Sequence, residues 1–153
     1  MHPVADASKQ EALGHSCTSH HEGGGLDEHS EWLDGQRHGR TDRWFVEGLP
    51  RERSAWLHGE RHGLHARWAC SGQLLEEGTW AHGQRDGCWR TWFLAGGLES
   101  VGCYQQGQQQ GLWVNWHPSG AVHLVRWYRD GERDGPLLAW DEAGLQVEPT
   151  GPR

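Results

Sequence analysis

The sequence predicts an all-β protein, a single-layer antiparallel ribbon of about five stacked β-hairpins of 24 residues each. An aromatic residue returns every 12 positions from Trp32 to Trp140. Glycines follow the same rhythm in three columns, which begin at Gly35, Gly39 and Gly48 and repeat in steps of 24 without insertion or deletion. Glycines this frequent leave no uninterrupted stretch for a stable helix. An internal repeat of this regularity determines the fold.

Each unit predicts two short strands separated by glycine-rich turns. The third unit shows the pattern, with "LLEEGTW", the turn "AHGQRDG", "CWRTWFL" and the turn "AGG" from 74 to 97. Side chains alternate between the two faces of a strand. The mostly apolar side of the second strands is predicted to be the packing face: Leu64, Ala66, Trp68, Cys88, Arg90, Trp92, Leu112, Val114 and Trp116. The other side, with His65, Trp89 and Trp113, is predicted to be the wetter face.

The repeats also predict the boundaries of the chain's parts. Residues 1–25 are predicted to be a disordered, histidine-rich tail. Residues 26–146 are predicted to form the repeat array, and residues 147–153 a C-terminal tail. A first, capping strand is expected to begin at about residue 26, since terminal repeats are atypical.

Two groups of potential metal ligands occur, but neither has an established spacing, so no metal site and no cofactor are predicted. One is the tail group His15, Cys17, His20, His21 and Glu22. The other is the set His58, His62 and His65 around one turn, which the other units do not repeat.

Charge and composition exclude several classes. The formal net charge of −7 and the absence of a basic cluster argue against nucleic-acid binding. No apolar run is long enough to span a membrane, and the first residues lack the apolar core of a signal peptide, so a cytoplasmic location is predicted. The cysteines, at 17, 70, 88 and 103, follow neither the repeat interval nor a C-x-x-C pair. They are predicted to be free, reduced thiols.

No catalytic residue is predicted. The sequence contains no G-x-S-x-G elbow, no phosphate-binding loop with G-x-x-x-x-G-K and no H-E-x-x-H helix. The periodic glycines are explained as turn residues. The expected function is therefore binding without catalysis.

Four aromatic residues outside the 12-residue rhythm are the first predicted partner-binding group: Trp89, Phe93, Trp113 and Trp127. Clustered exposed aromatic side chains are typical of protein-binding surfaces. The alternative is that this face is buried, under the N-terminal tail or a second copy of the chain.

Four arginines that occupy one turn position are the second group: Arg37, Arg61, Arg85 and Arg133. They are expected to form a row with a spacing of about 9.6 Å, which could bind an acidic partner or anionic lipid headgroups. The alternative is that nearby acidic residues cancel them and the mixed charges keep an open sheet soluble: Asp34, Glu60, Asp86, Glu132 and Asp134.

The units resemble the MORN repeat, the membrane occupation and recognition nexus motif. "EGTWAHGQRDG" (77–87) is similar to the core of that repeat, and "GCWRTWFLAGGL" (87–98) and "GLWVNWHPSGAV" (111–122) are similar to its shorter bacterial variant. The resemblance implies stacked hairpins in one antiparallel sheet. It also implies a YwqK-type antitoxin-like protein whose partner is a toxin that it neutralises. A membrane-surface adaptor, which binds anionic lipid through the turn arginines, is the alternative.

Overall fold

The computed structural model describes residues 14–148, which form one continuous antiparallel β-sheet without helices. The predicted single-layer ribbon of hairpins is confirmed. No segment of the described residues is a helix with the length and apolar character needed to cross a membrane.

Successive strands of the chain are neighbours in the sheet. Two short strands, β7 and β12, lie beside β6 and β11, and each continues into the strand that follows it. The strands are β1 Gly14–His20, β2 Leu26–Leu33, β3 Gln36–Trp44, β4 Pro50–Leu57, β5 Glu60–Trp68, β6 Leu74–Ala81, β7 Gln84–Arg85, β8 Gly87–Trp92, β9 Leu98–Gln105, β10 Gln108–Trp116, β11 Val122–Arg129, β12 Glu132–Arg133, β13 Leu138–Trp140 and β14 Gln146–Val147.

Two of the three glycine columns lie in turns, whereas the third, which includes Gly39 and Gly63, lies within strands such as β3 and β5. At one edge, two-residue loops such as His58-Gly59 hold both residues at positive φ, 48° and 84°, as a type I′ hairpin turn requires. At the other edge, loops such as Phe45 to Leu49 close with the Phe45 N–H donating to the Leu49 carbonyl, and Gly48 adopts a φ of 81°. Both turns demand backbone conformations that glycine adopts without strain, so the column positions cannot drift.

The sheet buries the opposite face from the one that the sequence predicts. Trp89 is 3% exposed and Trp113 is 8% exposed, whereas Leu64 is 71% exposed and Leu112 is 49% exposed. We call the side with Trp89 and Trp113 the packed face and the side with Leu64 and Leu112 the open face. A single layer has no second sheet to cover either face. The face that carries the large aromatic rings becomes buried, because those rings lie over neighbouring strands.

Strands occupy part of both predicted tails. Residues 14–20, within the predicted 1–25 tail, form β1, which pairs with β2 along its whole length. At the other end, β14 extends to Val147. Residues 21–25 form the turn between β1 and β2, and residues 1–13 and 149–153 of the predicted tails lie outside the described residues.

The prediction of four free thiols is wrong for two of them. Cys88 and Cys103 form a disulfide between adjacent strands, while Cys17 and Cys70 are free and exposed. The two bonded cysteines lie directly opposite each other in the β8–β9 pair. The register of the repeat brings them together, because the equivalent positions one unit earlier, Leu64 and Thr79, also lie opposite each other.

Candidate functional site

The predicted arginine row lies inside the packed face rather than along a free edge. The Arg37 guanidinium lies 5.4 Å from the ring centre of Trp32 and 5.3 Å from that of Trp56. Arg61 repeats this arrangement between Trp56 and Trp80, at 5.1 and 5.5 Å. Alternation of aromatic rings and guanidinium groups therefore accounts for the 24-residue recurrence of Trp32, Trp56 and Trp80, because each pair gains a cation–π attraction.

Each of these arginines also pairs with a glutamate on the same face. Arg37 donates to Glu28 at 2.8 Å and Arg61 donates to Glu52 at 2.8 Å. Arg85, which lies 4.2 Å above the ring centre of Trp89, is 3.7 Å from the next carboxylate in the row, Glu76. These three arginines are thus neutralised within the sheet, by partners different from the turn acids that the sequence suggested. Three of the four arginines of the predicted row are therefore paired with glutamates rather than free.

His65 links two of the ion pairs through the centre of the packed face. The Arg61 guanidinium donates to Nδ1 of His65 at 3.0 Å, and Nε2 of His65 lies 3.2 Å from Oε1 of Glu76. Because guanidinium has no acceptor, Nδ1 accepts and the proton sits on Nε2. The hydrogen bond from His65 and the Arg67 guanidinium outweigh the effect of burial and lower the pKa of Glu76 to about 2.

This low pKa predicts acid sensitivity. Since the folded pKa of Glu76 lies below its ordinary value of 4.5, its contribution is complete above that pH and is lost as the pH falls toward 2. The contribution is on the order of 2 kcal/mol. We expect Glu76→Gln to lower the free energy of unfolding at pH 7, and the gap to wild type to close as the pH falls from 5 toward 2. Urea unfolding followed by tryptophan fluorescence measures the unfolding free energy of both proteins at each pH.

Glu47→Gln is the control for that series, because Glu47 is exposed and forms no ion pair with residues 14–148. It should leave the unfolding free energy unchanged at each pH. A constant gap between wild type and Glu76→Gln down to pH 2 would contradict the assigned role of Glu76.

The remaining histidines around the second-unit turn do not join His65. His58 contacts His38, with ring centres 4.8 Å apart, and His62 contacts His82, with ring centres 5.1 Å apart. Within residues 14–148, no three His, Cys, Asp or Glu side chains are grouped so that they could hold a metal ion.

Trp89 and Trp113 form part of the core of the packed face. Each indole lies over a glycine of a neighbouring strand, Gly78 for Trp89 and Gly102 for Trp113, and a Cβ at either glycine would overlap the ring. The indole N–H of Trp89 donates to the carbonyl of Thr79 at 3.0 Å. These contacts are complete without a partner protein. Both tryptophans are therefore buried in the sheet rather than exposed as the sequence predicts.

The four predicted aromatic residues do not form one cluster. Trp127 is directly opposite Leu112 in the β10–β11 pair and so shares the open face, away from Trp113. Phe93 follows β8 and lines an open cavity of about 390 Å³. The sequence did contain a signal for the buried rings: Gly78 and Gly102 fall outside the three periodic glycine columns and lie opposite Trp89 and Trp113.

The charge pairing of the packed face changes after the third unit. The glutamate position occupied by Glu28, Glu52 and Glu76 becomes Ser100 in the fourth unit and Leu124 in the fifth. Arg126 enters the central column, and Arg133 occupies the arginine position of the last unit. Unlike the other arginines of residues 14–148, Arg126 and Arg133 have no carboxylate of those residues within 4.0 Å.

These two arginines border an open, partly aromatic surface, which we call the C-terminal patch: Phe93, His117, His123, Arg126 and Arg133. Arg126 and His123 lie between two cavities, one of about 390 Å³ that Phe93 and His117 line and one of about 450 Å³ that Arg133 lines. Asn115 and Tyr128 accept hydrogen bonds from the Arg126 guanidinium, but its Nε is buried without a partner among the described residues.

The two histidines add to the electrostatics of the patch. Their ring centres lie 4.2 Å apart, and Nε2 of His117 is 2.8 Å from the carbonyl oxygen of Trp140. Burial lowers the pKa of His123, and the charges of His117 and Arg126 lower it further. A bound anion would oppose both charge effects, so the His123 pKa reports on anion binding at this place.

A third depression, of about 410 Å³, lies on the open face around Leu64, Arg53 and Arg90. Its arginines already have partners, because Arg53 donates to Asp42 at 2.8 Å and Arg90 donates to Glu77 at 3.0 Å. It therefore offers less free charge than the C-terminal patch.

Comparisons with known proteins identify no family for the chain. No protein-family model and no curated protein match it. Among solved structures, one titled "Crystal Structure of TarM" aligns with a TM-score of 0.37 and 10% sequence identity. The alignment covers 63% of this chain and 19% of that one. A TM-score of this size does not establish a shared fold.

Proposed function

We propose that the chain is a non-enzymatic protein-binding module that binds an acidic segment of a partner protein at the C-terminal patch. The observation that carries the proposal is the absence of a carboxylate within 4.0 Å of Arg126 and Arg133 among residues 14–148, whereas the arginines of the earlier units are paired. A half-buried guanidinium binds carboxylate groups well, because its planar donors match two carboxylate oxygens.

The surroundings of Arg126 favour a peptide over a free ion. Phe93 and Trp116 line the same cavity and supply apolar surface beside the charge. Interfaces between proteins combine such aromatic residues with arginine at the positions that contribute most to affinity. An acidic segment that also carries apolar side chains would contact both parts of the patch.

The nature of the partner rests on the resemblance to MORN repeats. The confirmed repeat of β-hairpins supports that resemblance, and we propose from it a bacterial antitoxin-like role, in which the partner is a toxin that the chain covers. The Cys88–Cys103 disulfide argues against the predicted cytoplasmic location, since disulfides are rare in reducing compartments.

The direct test uses a fluorescent glutamate-rich peptide with two aromatic residues and the full chain. Binding measured by anisotropy is expected to weaken at least tenfold in Arg126→Gln/Arg133→Gln and to weaken with salt. Arg90→Gln is the control, because Arg90 is exposed on the open face, as Arg133 is exposed in the patch, but is paired with Glu77. Wild type is also expected to show a rise of the His123 pKa on peptide binding, measured by NMR.

The single variant Arg133→Gln guards against a folding defect, since Arg133 is exposed and should not affect the thermal midpoint. Equal peptide affinity in wild type and the double variant would overturn the proposal. A pull-down with wild type, the double variant and Arg90→Gln as bait then identifies the natural partner as a protein lost only from the double variant. Relief of that partner's toxicity by co-expression tests the antitoxin role.

Three of the four arginines on which the lipid-binding alternative rests already have partners. Arg37, Arg61 and Arg85 are enclosed between rings and paired with glutamates. Vesicles that contain phosphatidylserine form a second arm of the same experiment. Salt-sensitive vesicle binding in the absence of peptide binding would favour a membrane-surface role over the one proposed.

A further inference from the structure

The two edges of the open sheet differ in a way that points to self-association. Strand β1 has seven residues, all exposed, and its sequence GHSCTSH contains no acidic residue, lysine, arginine or proline. At the other edge β14 has two residues and is followed by Glu148 and Pro149. Charged residues, proline and short length are the usual protection of an edge strand against pairing with another chain. Strand β1 lacks all three.

The length of β1 fixes how two copies would align. Full overlap of two antiparallel copies places Gly14 of one opposite His20 of the other, Ser16 opposite Thr18, and Cys17 opposite its own counterpart. Because residues that lie opposite each other share a face, this register joins the packed face of one copy to the packed face of the other. A slip by one residue would join unlike faces.

The side chains of β1 are compatible with that continuation. Cys17 lies opposite Ser30 in the β1–β2 pair and thus in the central column of the packed face. His15 stacks against Trp32, with ring centres 6.4 Å apart, and so adds a ring to the end of the aromatic column. A second β1 would extend both columns across the junction.

We propose that two copies of the chain associate by antiparallel pairing of their β1 strands about Cys17, which produces one continuous sheet with two-fold symmetry. The occupant of this edge is a second copy because every residue of β1 then has a backbone partner and no charge is buried. The two C-terminal patches would lie at opposite ends of the sheet, on the order of 100 Å apart. Such a dimer would bind two partners or two sites on one assembly.

The proximity of the two Cys17 side chains provides a chemical test. With oxidised glutathione as oxidant, the Cys17 thiolate of one copy attacks the glutathione disulfide and releases one glutathione thiol. Cys17 of the partner subunit then attacks the mixed disulfide and releases the second. The two Cys17 thiols are oxidised, and one glutathione disulfide is reduced to two thiols. The expected product is a covalent dimer in which mass spectrometry finds Cys17 joined to Cys17.

Cys70→Ser should cross-link as wild type does, since Cys70, the other free and exposed cysteine, lies away from β1. Cys17→Ser should not cross-link, yet it should still associate. Cross-linking that requires Cys70 instead would overturn the proposed register.

Charge exchange at the junction tests the pairing without cysteine chemistry. In Ser16→Lys/Thr18→Lys, lysines oppose lysines across the two-fold axis, and in Ser16→Glu/Thr18→Glu glutamates oppose glutamates. Light scattering should give twice the mass of one chain for wild type and the mass of one chain for either variant. A mixture of the two variants should restore the dimer, which excludes misfolding as the cause.

Two results would overturn the proposal. One is a wild-type chain that stays monomeric at high concentration, as expected if residues 1–13 or nothing at all covered β1. The other is a mixture of the charge variants that stays monomeric. Because the peptide assay reports on the opposite end of the sheet, failure here would leave the proposed peptide binding intact.

Discussion

Replacement of Trp113 with serine is expected to lower the free energy of unfolding by about 3 to 5 kcal/mol, the usual cost of deleting a buried tryptophan. The indole is 8% exposed, covers Gly102, and donates from Nε1 to the carbonyl of Cys103 at 3.3 Å. Its ring centre lies 5.0 Å from that of Tyr104, so the loss would also weaken the aromatic ladder. Urea unfolding followed by far-UV circular dichroism measures the change.

The neighbouring residue offers a matched control. Leu112 precedes Trp113 on the same strand but points to the open face and is 49% exposed, so Leu112→Ser should change the unfolding free energy by less than about 1 kcal/mol. Gly102→Ala tests the same contact from the other side, because its Cβ would overlap the Trp113 ring. Gly23→Ala, which has open space around it, should be neutral. If Trp113→Ser folds with unchanged stability, Trp113 is a candidate binding residue and not a core residue.

Removal of the Cys88–Cys103 disulfide is the second large effect that we expect. The bond closes a loop across 15 positions of the sequence, and its loss in Cys88→Ser/Cys103→Ser should lower the unfolding free energy by about 3 kcal/mol. The physical reason is that the bond restricts the unfolded chain. Thermal unfolding of wild type with and without reductant measures the same quantity independently.

The exposed cysteines provide the comparison for the disulfide. Cys17→Ser/Cys70→Ser removes two thiols that are free in the monomer and should leave the monomer's unfolding free energy and its response to reductant unchanged. If both double variants have the same unfolding free energy and the same response to reductant, the Cys88–Cys103 bond does not stabilise the sheet. Alkylation of free thiols in intact host cells, before lysis, would show whether the bond exists at the protein's natural location.

Part of the candidate site followed from the sequence and part did not. The arginine column was recognisable because it recurs every 24 residues, and Arg133 does remain free of carboxylates among residues 14–148. The acidic partners of Arg37, Arg61 and Arg85 were not recognisable. Those partners, Glu28, Glu52 and Glu76, lie nine residues before their arginines, across a two-residue bulge in each hairpin. Arg126 was missed because the equivalent positions of the earlier units hold serine or glycine: Ser30, Ser54, Gly78 and Gly102.

The disulfide shows a similar limit. A repeat reveals which positions are equivalent, but a cross-strand contact depends on register, and the register depends on how the turns and bulges are built. Once Leu64 is known to face Thr79, the pairing of Cys88 with Cys103 follows from a shift by one unit.

The sequence by itself determined the all-β class, the hairpin repeat and the positions of the turns, because glycine at positive φ and aromatic residues at fixed intervals are local requirements of each unit. Only the tertiary structure decided which face is buried. Alternation along a strand separates two sets of side chains, but in a single layer neither set has a second sheet to pack against. Trp89 and Trp113 settle the choice by lying over Gly78 and Gly102, a contact between strands that alternation along a single strand does not specify.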